Sequence, residues 1–359
     1  MKKLLINFVK LGISLGLIIY LVSSIKNKDP GLFGRFMEGE KKWSLLALAF
    51  VLMTTAVLTS FCRWYFLVRA LDLPFRLRDA FRLGFLGYLM NFVSLGSIGG
   101  DLFKAVFIAR EHPGRRTAAV TSIVFDRVIG LIGLLLMACT AILFVDLSNF
   151  PKQIHELAIA TVVAAGIGLS VFTLMLFRFG VEGPVADWLC KPGFAGAFFQ
   201  RVFEAARTYQ RRRAVLLLAL GMTFVVQFLN ILAFSCIAHG LPDAAPSLGV
   251  HCFIIPLGLV SAALPLPMEG LGAFETVVTY LYEYTSPDGR GTAKGVLVAL
   301  GYRLLRITVA LIGVGFYLAS RREIDHMIHE VEEIEIEAEE AAEEEATGLS
   351  AREAGDSQA

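Results

Sequence analysis

The apolar part of this 359-residue sequence contains two acidic residues that each have an arginine 26 or 28 positions further along the chain. The first combination is Asp101 with Arg127, and the second is Glu275 with Arg303. Ionisable side chains within apolar segments are costly and commonly functional, and an arginine can bind a carboxylate or a phosphate through two parallel hydrogen bonds. Because each arginine follows its acid at nearly the same distance in the sequence, we expect one arrangement that occurs twice.

A glycine-rich turn lies before or around each acid and interrupts a long apolar stretch. The turns cover residues 94–101 and 265–272, and they contain Gly99, Gly100, Gly270 and Gly272. A helix that only crosses a bilayer has no use for such an interruption, because each unpaired backbone group in hydrocarbon costs several kcal/mol. Interruptions at matching places in two halves of a membrane protein are typical of a polar site at membrane depth.

Three interpretations of these acids and arginines are open from the sequence. In the first, the acids complement the positive N-terminal ends of the helices after the turns and pair with the arginines, which locks hairpin to span. In the second, the turn N–H groups and the arginines form a cationic site for a phosphate. We expect a combination, in which the carboxylates position the arginines and the arginines contact a headgroup. The third interpretation is a proton or ion relay through the carboxylates.

Polar residues near the turns extend the candidate site. Lys104 could add a third cation or could reach the membrane surface, and Asn91 could satisfy freed backbone groups or contact a ligand. The candidate substrate-binding residues are Asn91, Gly99, Gly100, Asp101, Lys104, Arg127, Gly270, Gly272, Glu275, Arg303 and Arg306. The sequence contains no recognisable catalytic, metal-binding or cofactor motif, so we expect a protein that is not an enzyme.

Composition and segment length predict that membrane-spanning helices position these residues. Hydrophobic residues make up 56% of the sequence and the mean hydropathy is +0.64, whereas soluble domains are only about 45–50% apolar. A spanning helix needs about 20 apolar residues. Six segments qualify, at approximately 4–24, 43–68, 117–145, 155–178, 214–239 and 293–320. The predicted fold class is an all-α polytopic integral membrane protein.

The two interrupted stretches, 79–112 and 249–284, are too short to provide two full spans each. Their arms of about 12–15 residues would reach only about 18–23 Å, so we expect two re-entrant helical hairpins. Lysine and arginine in most short loops place both termini in the cytoplasm, although the basic loop 26–42 counts against this orientation. The hairpins then open to opposite sides, which predicts an inverted repeat of residues 43–145 and 214–320.

Two charged segments complete the predicted organisation. Residues 192–213 combine phenylalanines with arginines, which favours an amphipathic helix on the anionic cytoplasmic surface, with a basic loop as the alternative. Residues 323–359 contain fourteen acidic residues and one basic residue, and they have too few apolar residues to form a core. We therefore expect a transmembrane domain at 1–322 and a cytoplasmic acidic tail, helical or disordered, that could bind a soluble partner.

The ordered motifs resemble the flippase-like transmembrane region of lysylphosphatidylglycerol synthases and their stand-alone bacterial and archaeal relatives. The resemblance covers about residues 5–320 and rests on Asn91…Gly99-Gly100-Asp101, Asp126-Arg127-x-x-Gly130, Pro265-x-Pro267-x-x-Gly270-x-Gly272-x-x-Glu275 and Tyr302-Arg303. It implies an integral membrane lipid translocator, which in the best-understood members moves aminoacylated phosphatidylglycerol. Those members also carry a soluble aminoacyl-transferase domain that this sequence lacks, so lipid synthesis is not expected.

Three positions depart from the family pattern. Ser94-Leu95-Gly96 stands where a proline is usual, Lys104 where an arginine is common, and Glu269 where a further glycine is frequent. A carboxylate at position 269, close to the expected headgroup, could favour a cationic headgroup.

Lipid translocation between leaflets by alternating access is the leading functional hypothesis. The expected ligand is a phospholipid or a polyprenyl-phosphate-type lipid, in a bacterial or archaeal inner membrane, and no nucleic acid is expected. The alternatives are a membrane transferase acting on lipid-linked substrates and a non-catalytic membrane partner of a soluble lipid-modifying enzyme.

Overall fold

The computed structural model describes residues 38–93, 99–111, 116–143, 150–176, 209, 212–242, 245–262, 272–285 and 291–319. Over these ranges the chain forms helices and short connections, without a strand. We number the helices in chain order as α1 (Trp43–Arg69), α2 (Leu77–Val93), α3 (Gly99–Glu111), α4 (Arg116–Ile142), α5 (Lys152–Leu176), α6 (Arg213–Gly240), α7 (Leu248–Ala262), α8 (Ala273–Thr285), α9 (Gly291–Ala310) and α10 (Ile312–Ala319).

Five of the six predicted spans are confirmed by helices that are long and apolar enough to cross a membrane. They are α1, α4, α5, α6 and the combined α9 and α10, which together run for 29 residues from Gly291 to Ala319. Leu311 separates α9 from α10 as a single turn residue. The first predicted span, 4–24, lies outside the described residues. The protein is therefore an all-α polytopic membrane protein.

The two interrupted stretches fold as pairs of shorter helices. Helices α2 and α3 have 17 and 13 residues, and α7 and α8 have 15 and 13 residues. At about 1.5 Å per residue these arms measure about 20–26 Å, less than the roughly 30 Å of a bilayer core. Such lengths suit hairpins that enter and leave on the same side, and their re-entrance stays a prediction. Most of segment 192–213 and all of the tail 323–359 lie outside the described residues.

Helices α1 and α6 run antiparallel to each other at the centre of the bundle. The Lys42 N–H at the start of α1 donates to the Gly240 carbonyl at the end of α6, at 2.9 Å. Each hairpin packs against the last helices of the other half: α7 contacts α4, and α2 contacts α9 and α10. This reciprocal contact is what the expected inverted repeat requires, while the repeat bounds 43–145 and 214–320 stay predictions.

Helix α10 approaches α2 closely because a glycine faces the contact. A Cβ atom added at Gly313 would lie 2.5 Å from the Phe85 carbonyl oxygen and 3.0 Å from the Leu89 Cβ. A Cβ atom added at Gly315 would meet no atom within 4 Å. The rings of Phe85 and Phe316 stack beside this approach with their centroids 5.7 Å apart. The position of the first hairpin therefore depends on glycine at residue 313.

We expect Gly313→Val to destabilise the protein, because the added side chain would push α10 away from the α2 backbone. Overpacking of this kind costs about 1–3 kcal/mol. Gly315→Val is the matched control, since it lies in the same helix and faces open space. Thermal unfolding of the purified proteins in detergent measures the difference. Equal melting temperatures for the two variants would contradict the close packing of α10 on α2.

Candidate functional site

The Glu275–Arg303 pair joins the second hairpin to α9 inside the protein. The Arg303 Nε donates to Glu275 Oε1, and Nη2 donates to Oε2 at 3.1 Å, so the guanidinium binds the carboxylate with two hydrogen bonds. The Glu275 side chain is fully buried and that of Arg303 is 10% exposed. A buried charge is tolerated when it is paired in this way. The first half of the expected combination, a carboxylate that positions an arginine, is present here.

The same carboxylate completes the start of α8. Glu275 lies in the first turn of this helix, and its Oε2 accepts a hydrogen bond from the Gly272 N–H at 2.8 Å. Gly272 has a φ of 90°, in the left-handed region that glycine adopts without strain. Gly270 lies outside the described residues. One acid therefore neutralises an arginine and satisfies a backbone donor freed by the turn.

The Asp101–Arg127 pair joins the first hairpin to α4, and it is more open. The Arg127 Nε donates to Asp101 Oδ2, and the Lys104 Nζ lies 3.6 Å from Asp101 Oδ1. The Asp101 side chain is 13% exposed, whereas that of Arg127 is 56% exposed. The two arginines therefore differ in exposure, because α4 presents the Arg127 side chain at the edge of the contact. Its guanidinium is accessible from outside the protein.

For Lys104 and for Asn91 the sequence left two roles open, and the structure shows which contacts each side chain makes. Lys104 is directed inward, with its Nζ 5.2 Å from the centroid of the Trp64 ring, so it adds a cation beside Asp101. The Asn91 Oδ1 accepts a hydrogen bond from the Gly100 N–H at 3.2 Å and thereby satisfies a backbone donor at the start of α3. Gly99 is the first residue of α3. A Cβ atom at Gly100 would collide with the Gly87 carbonyl, so glycine permits the close approach of the two hairpin arms.

A cavity of about 130 Å³ lies in the middle of the bundle, between the two halves of the chain. Its wall comes from α1, α2, α6, α7 and α9, and it consists of Met53, Ala56, Val57, Ser60, Tyr88, Val226, Asn230, Leu259, Tyr302 and Arg306. The Arg306 Nε donates to the Tyr88 hydroxyl at 3.0 Å, and the Tyr302 hydroxyl donates to Asn230 Oδ1 at 3.3 Å. Among the described residues, the wall thus combines the Arg306 cation with neutral hydrogen-bonding groups and includes no carboxylate.

Only one of the predicted site residues, Arg306, lines this cavity. The other predicted site residues that the structure describes form two separate clusters, one around Asp101 and one around Glu275. Sequence reasoning did not identify Tyr88 or Asn230 as site residues. Asn230 could have been identified as an amide within the apolar span α6. Tyr302, which also lines the cavity, could have been identified by its place directly before Arg303 in the fourth motif.

A further ion pair, which sequence reasoning did not identify, connects α1, α4 and α6. The Arg63 Nε donates to Asp126 Oδ1 at 2.8 Å, and Nη1 donates to the Thr223 hydroxyl at 2.7 Å. The side chains of Arg63 and Asp126 are 7% and 17% exposed. Because Asp126 directly precedes Arg127, this pair fixes the rotation of α4 and with it the direction of the Arg127 side chain.

We expect Glu275→Gln to destabilise the protein by about 3–5 kcal/mol, because it leaves the Arg303 charge buried without its counter-charge. Asp101→Asn, the matched change in the other half, should cost less, since Arg127 is solvated over half of its surface. Thermal unfolding in detergent compares the two variants. A larger loss for Asp101→Asn than for Glu275→Gln would contradict the difference in burial described here.

Comparison with known proteins identifies the family. Residues 7–313 match the family model described as the lysylphosphatidylglycerol synthase TM region. No curated protein gives a significant match to the sequence. The matched segment contains both acid–arginine pairs and every residue of the cavity wall. The chain therefore belongs to the lysylphosphatidylglycerol synthase transmembrane-region family, as its motifs suggested, and is a multi-pass membrane protein linked to lipid metabolism.

Proposed function

We propose that this protein moves a lipid headgroup between the two leaflets of a membrane. The observation that carries the proposal is the central cavity, which places Arg306 among hydrogen-bonding side chains between the two halves of a bundle of apolar helices. Polar cavities at the meeting point of repeats are typical substrate sites of secondary transporters. The lipid's acyl chains would remain in the surrounding bilayer.

The chemistry of the cavity suits a phosphate. A guanidinium binds phosphate oxygens through charge-assisted hydrogen bonds, and the hydroxyl groups of Tyr88 and Tyr302 and the Asn230 amide can donate to the same oxygens. The described wall residues include a guanidinium and no carboxylate, which favours an anionic group at this position. A phospholipid or a polyprenyl-phosphate-type lipid is therefore the proposed ligand.

Alternating access gives the two acid–arginine pairs different roles. In this structure the Glu275–Arg303 pair is closed within the protein, whereas Arg127 is open beside Asp101. We infer that Arg127 receives the headgroup on one side and that Arg303 corresponds to it on the other side once the hairpins move. The two halves, 43–145 and 214–320, would then act as inverted repeats that rock about the α1–α6 contact.

Sidedness and assembly follow from the charge pattern of the sequence. We propose an inner-membrane protein of a bacterium or archaeon with both termini in the cytoplasm. Residues 192–213 would lie on the anionic membrane surface, and the acidic tail would be available to a soluble partner. On this proposal the protein is a transporter and performs no lipid synthesis.

We expect Arg306→Gln to lower the rate of lipid translocation about tenfold or more, because the loss of one hydrogen-bonded charge costs about 1.5–3 kcal/mol. Arg306→Lys should retain part of the rate, since it keeps the charge and loses the planar fork. The measurement is the movement of a fluorescent phosphatidylglycerol in liposomes that contain the purified protein.

Arg76→Gln serves as the matched control, because Arg76 is exposed just before α2 and away from the cavity. It should translocate lipid at the wild-type rate. Wild-type protein that moves neither a labelled phospholipid nor a labelled polyprenyl phosphate would refute the proposed function. An unchanged rate in Arg306→Gln would refute the role of the cavity.

A further inference from the structure

A line of buried polar groups follows α8 from the Glu275–Arg303 pair towards the end of the bundle where α6 ends. This line consists of Glu275, Thr279 and Tyr282. Because Thr279 follows Glu275 by four residues and Tyr282 follows Thr279 by three, the three side chains lie on one face of the helix. All three are buried, with exposures of 0%, 4% and 0%. A hydrophobic span would place apolar residues at these positions, and the line therefore calls for a functional explanation.

A buried histidine continues the line beyond Tyr282. The His251 Nε2 and the Tyr282 hydroxyl form a hydrogen bond of 2.7 Å, and His251 is fully buried. In the part of the chain that the structure describes, neither the second ring nitrogen of His251, Nδ1, nor the Thr279 hydroxyl has a hydrogen-bond partner. Each unsatisfied buried group costs about 1–3 kcal/mol. Two such groups in one line are explained if both exchange hydrogen bonds with intervening water.

His239 connects this line to the outside of the protein. It is exposed at the end of α6, and its ring centroid lies 6.0 Å from that of His251. Its Nδ1 lies 2.9 Å from the Ser235 carbonyl oxygen, which can only accept, so Nδ1 carries the hydrogen and Nε2 is the nitrogen that can take up a proton. An exposed imidazole therefore lies next to a buried one.

A lysine beside His251 determines what the buried imidazole can do. Lys294 is 2% exposed, and burial of the His251 ring together with the nearby His239 and Lys294 disfavours a charged imidazole at this position. A neighbouring cation disfavours a lasting imidazolium. Among the described residues, the polar or charged groups near His251 are His239 from α6, Tyr282 from α8 and Lys294 from α9, and the described end of α4 has no charged residue between 133 and 142. His251 is suited to pass a proton on and not to hold it.

We propose that this line conducts protons between the exposed His239 and Glu275, and that proton transfer to Glu275 drives headgroup transport. The inference rests on the proposed function and names the coupling ion. His239 Nε2 takes a proton from solvent and passes it to His251 Nδ1, while His251 releases the hydrogen on Nε2 to the Tyr282 oxygen. The Tyr282 hydrogen moves on through the Thr279 hydroxyl and intervening water to the Glu275 carboxylate. Each transfer breaks one N–H or O–H bond and forms another.

Protonation of Glu275 changes the role of Arg303. The neutral carboxylic acid no longer balances the guanidinium charge, so an anionic headgroup becomes the favourable partner of Arg303. Release of the headgroup restores the ion pair when Glu275 loses its proton. One proton and one anionic headgroup would then move in the same direction, and a proton gradient would supply the free energy.

Proteoliposomes that contain a pH-sensitive dye and fluorescent phosphatidylglycerol test this proposal. A pH difference of one unit should drive wild-type protein to enrich the labelled lipid in one leaflet by up to about tenfold, the limit for one proton per lipid. At equal pH on both sides no enrichment is expected. Proton uptake, reported by the dye, should rise with the amount of labelled lipid that is moved.

His251→Gln should abolish both the enrichment and the lipid-dependent proton uptake, because a carboxamide keeps a hydrogen bond to Tyr282 and cannot relay a proton. Tyr282→Phe is a second variant with the same expected result. His155→Gln is the matched control, since His155 lies on α5 and its Nδ1 is 3.2 Å from the Pro151 carbonyl. Thermal unfolding in detergent identifies a variant that fails to fold.

The possible outcomes separate the two proposals. Lipid movement that does not respond to the pH difference overturns proton coupling and leaves the proposed translocation intact. Enrichment that persists in folded His251→Gln overturns the assigned path through His251. No lipid movement under any condition overturns both. Loss of enrichment in His155→Gln to the same extent as in His251→Gln also overturns the assigned path.

Discussion

The cost of a charge in a medium that cannot solvate it is the constraint on which this structure depends. Each hairpin interrupts an apolar stretch and frees backbone donors, and each half has a carboxylate at the start of the second arm of its hairpin. Glu275 accepts from the Gly272 N–H and from Arg303 at once, so the same oxygen atoms stabilise the turn and the charge. The break, the acid and the arginine therefore form one unit, because removal of any member leaves the others unsatisfied. Asp101 repeats the ion pair, while Asn91 takes over the backbone donor.

The two halves share this plan and differ in how they are held. Arg63 joins α1 to α4 through Asp126, and it also reaches α6 through Thr223. At the corresponding place in the second half, Phe234 of α6 meets Tyr302 of α9, with ring centroids 5.5 Å apart. One junction is thus ionic and directional, whereas the other is aromatic and tolerates sliding. We infer that the second half rearranges more easily, since an aromatic contact loses less than a buried ion pair when it shifts.

Sequence patterns predicted the spans and both ion pairs because these follow from local rules. Length and hydropathy defined five helices that the structure confirms, and equal spacing linked Asp101 to Arg127 and Glu275 to Arg303. The cavity could not be predicted in the same way. Its wall combines residues from five helices, and the contact of Arg306 with Tyr88 joins positions far apart in the sequence. Exposure is likewise a tertiary property, and for this reason the exposure of the Arg127 side chain could not be predicted from its apolar surroundings in the sequence. Arg63 gave no signal, since a lone arginine near the end of a span resembles one that reaches the surface.

The packing around the cavity explains why its charged residue, Arg306, comes from the second half of the chain. Ala56 and Ser60 of α1 and Val226 and Asn230 of α6 all line the cavity, and they occupy corresponding places along the two helices. A cavity between matched positions offers similar surroundings to a headgroup from either side, which alternating access requires. Arg306 breaks this equivalence. Its counterpart on α4, three residues after Arg127, is Gly130, where an added Cβ would lie 3.6 Å from the Arg63 guanidinium. The space that a second cavity arginine would need is thus taken by the ion pair between α1 and α4. A bound phosphate would therefore be held by the second half, which the weaker junction leaves freer to move.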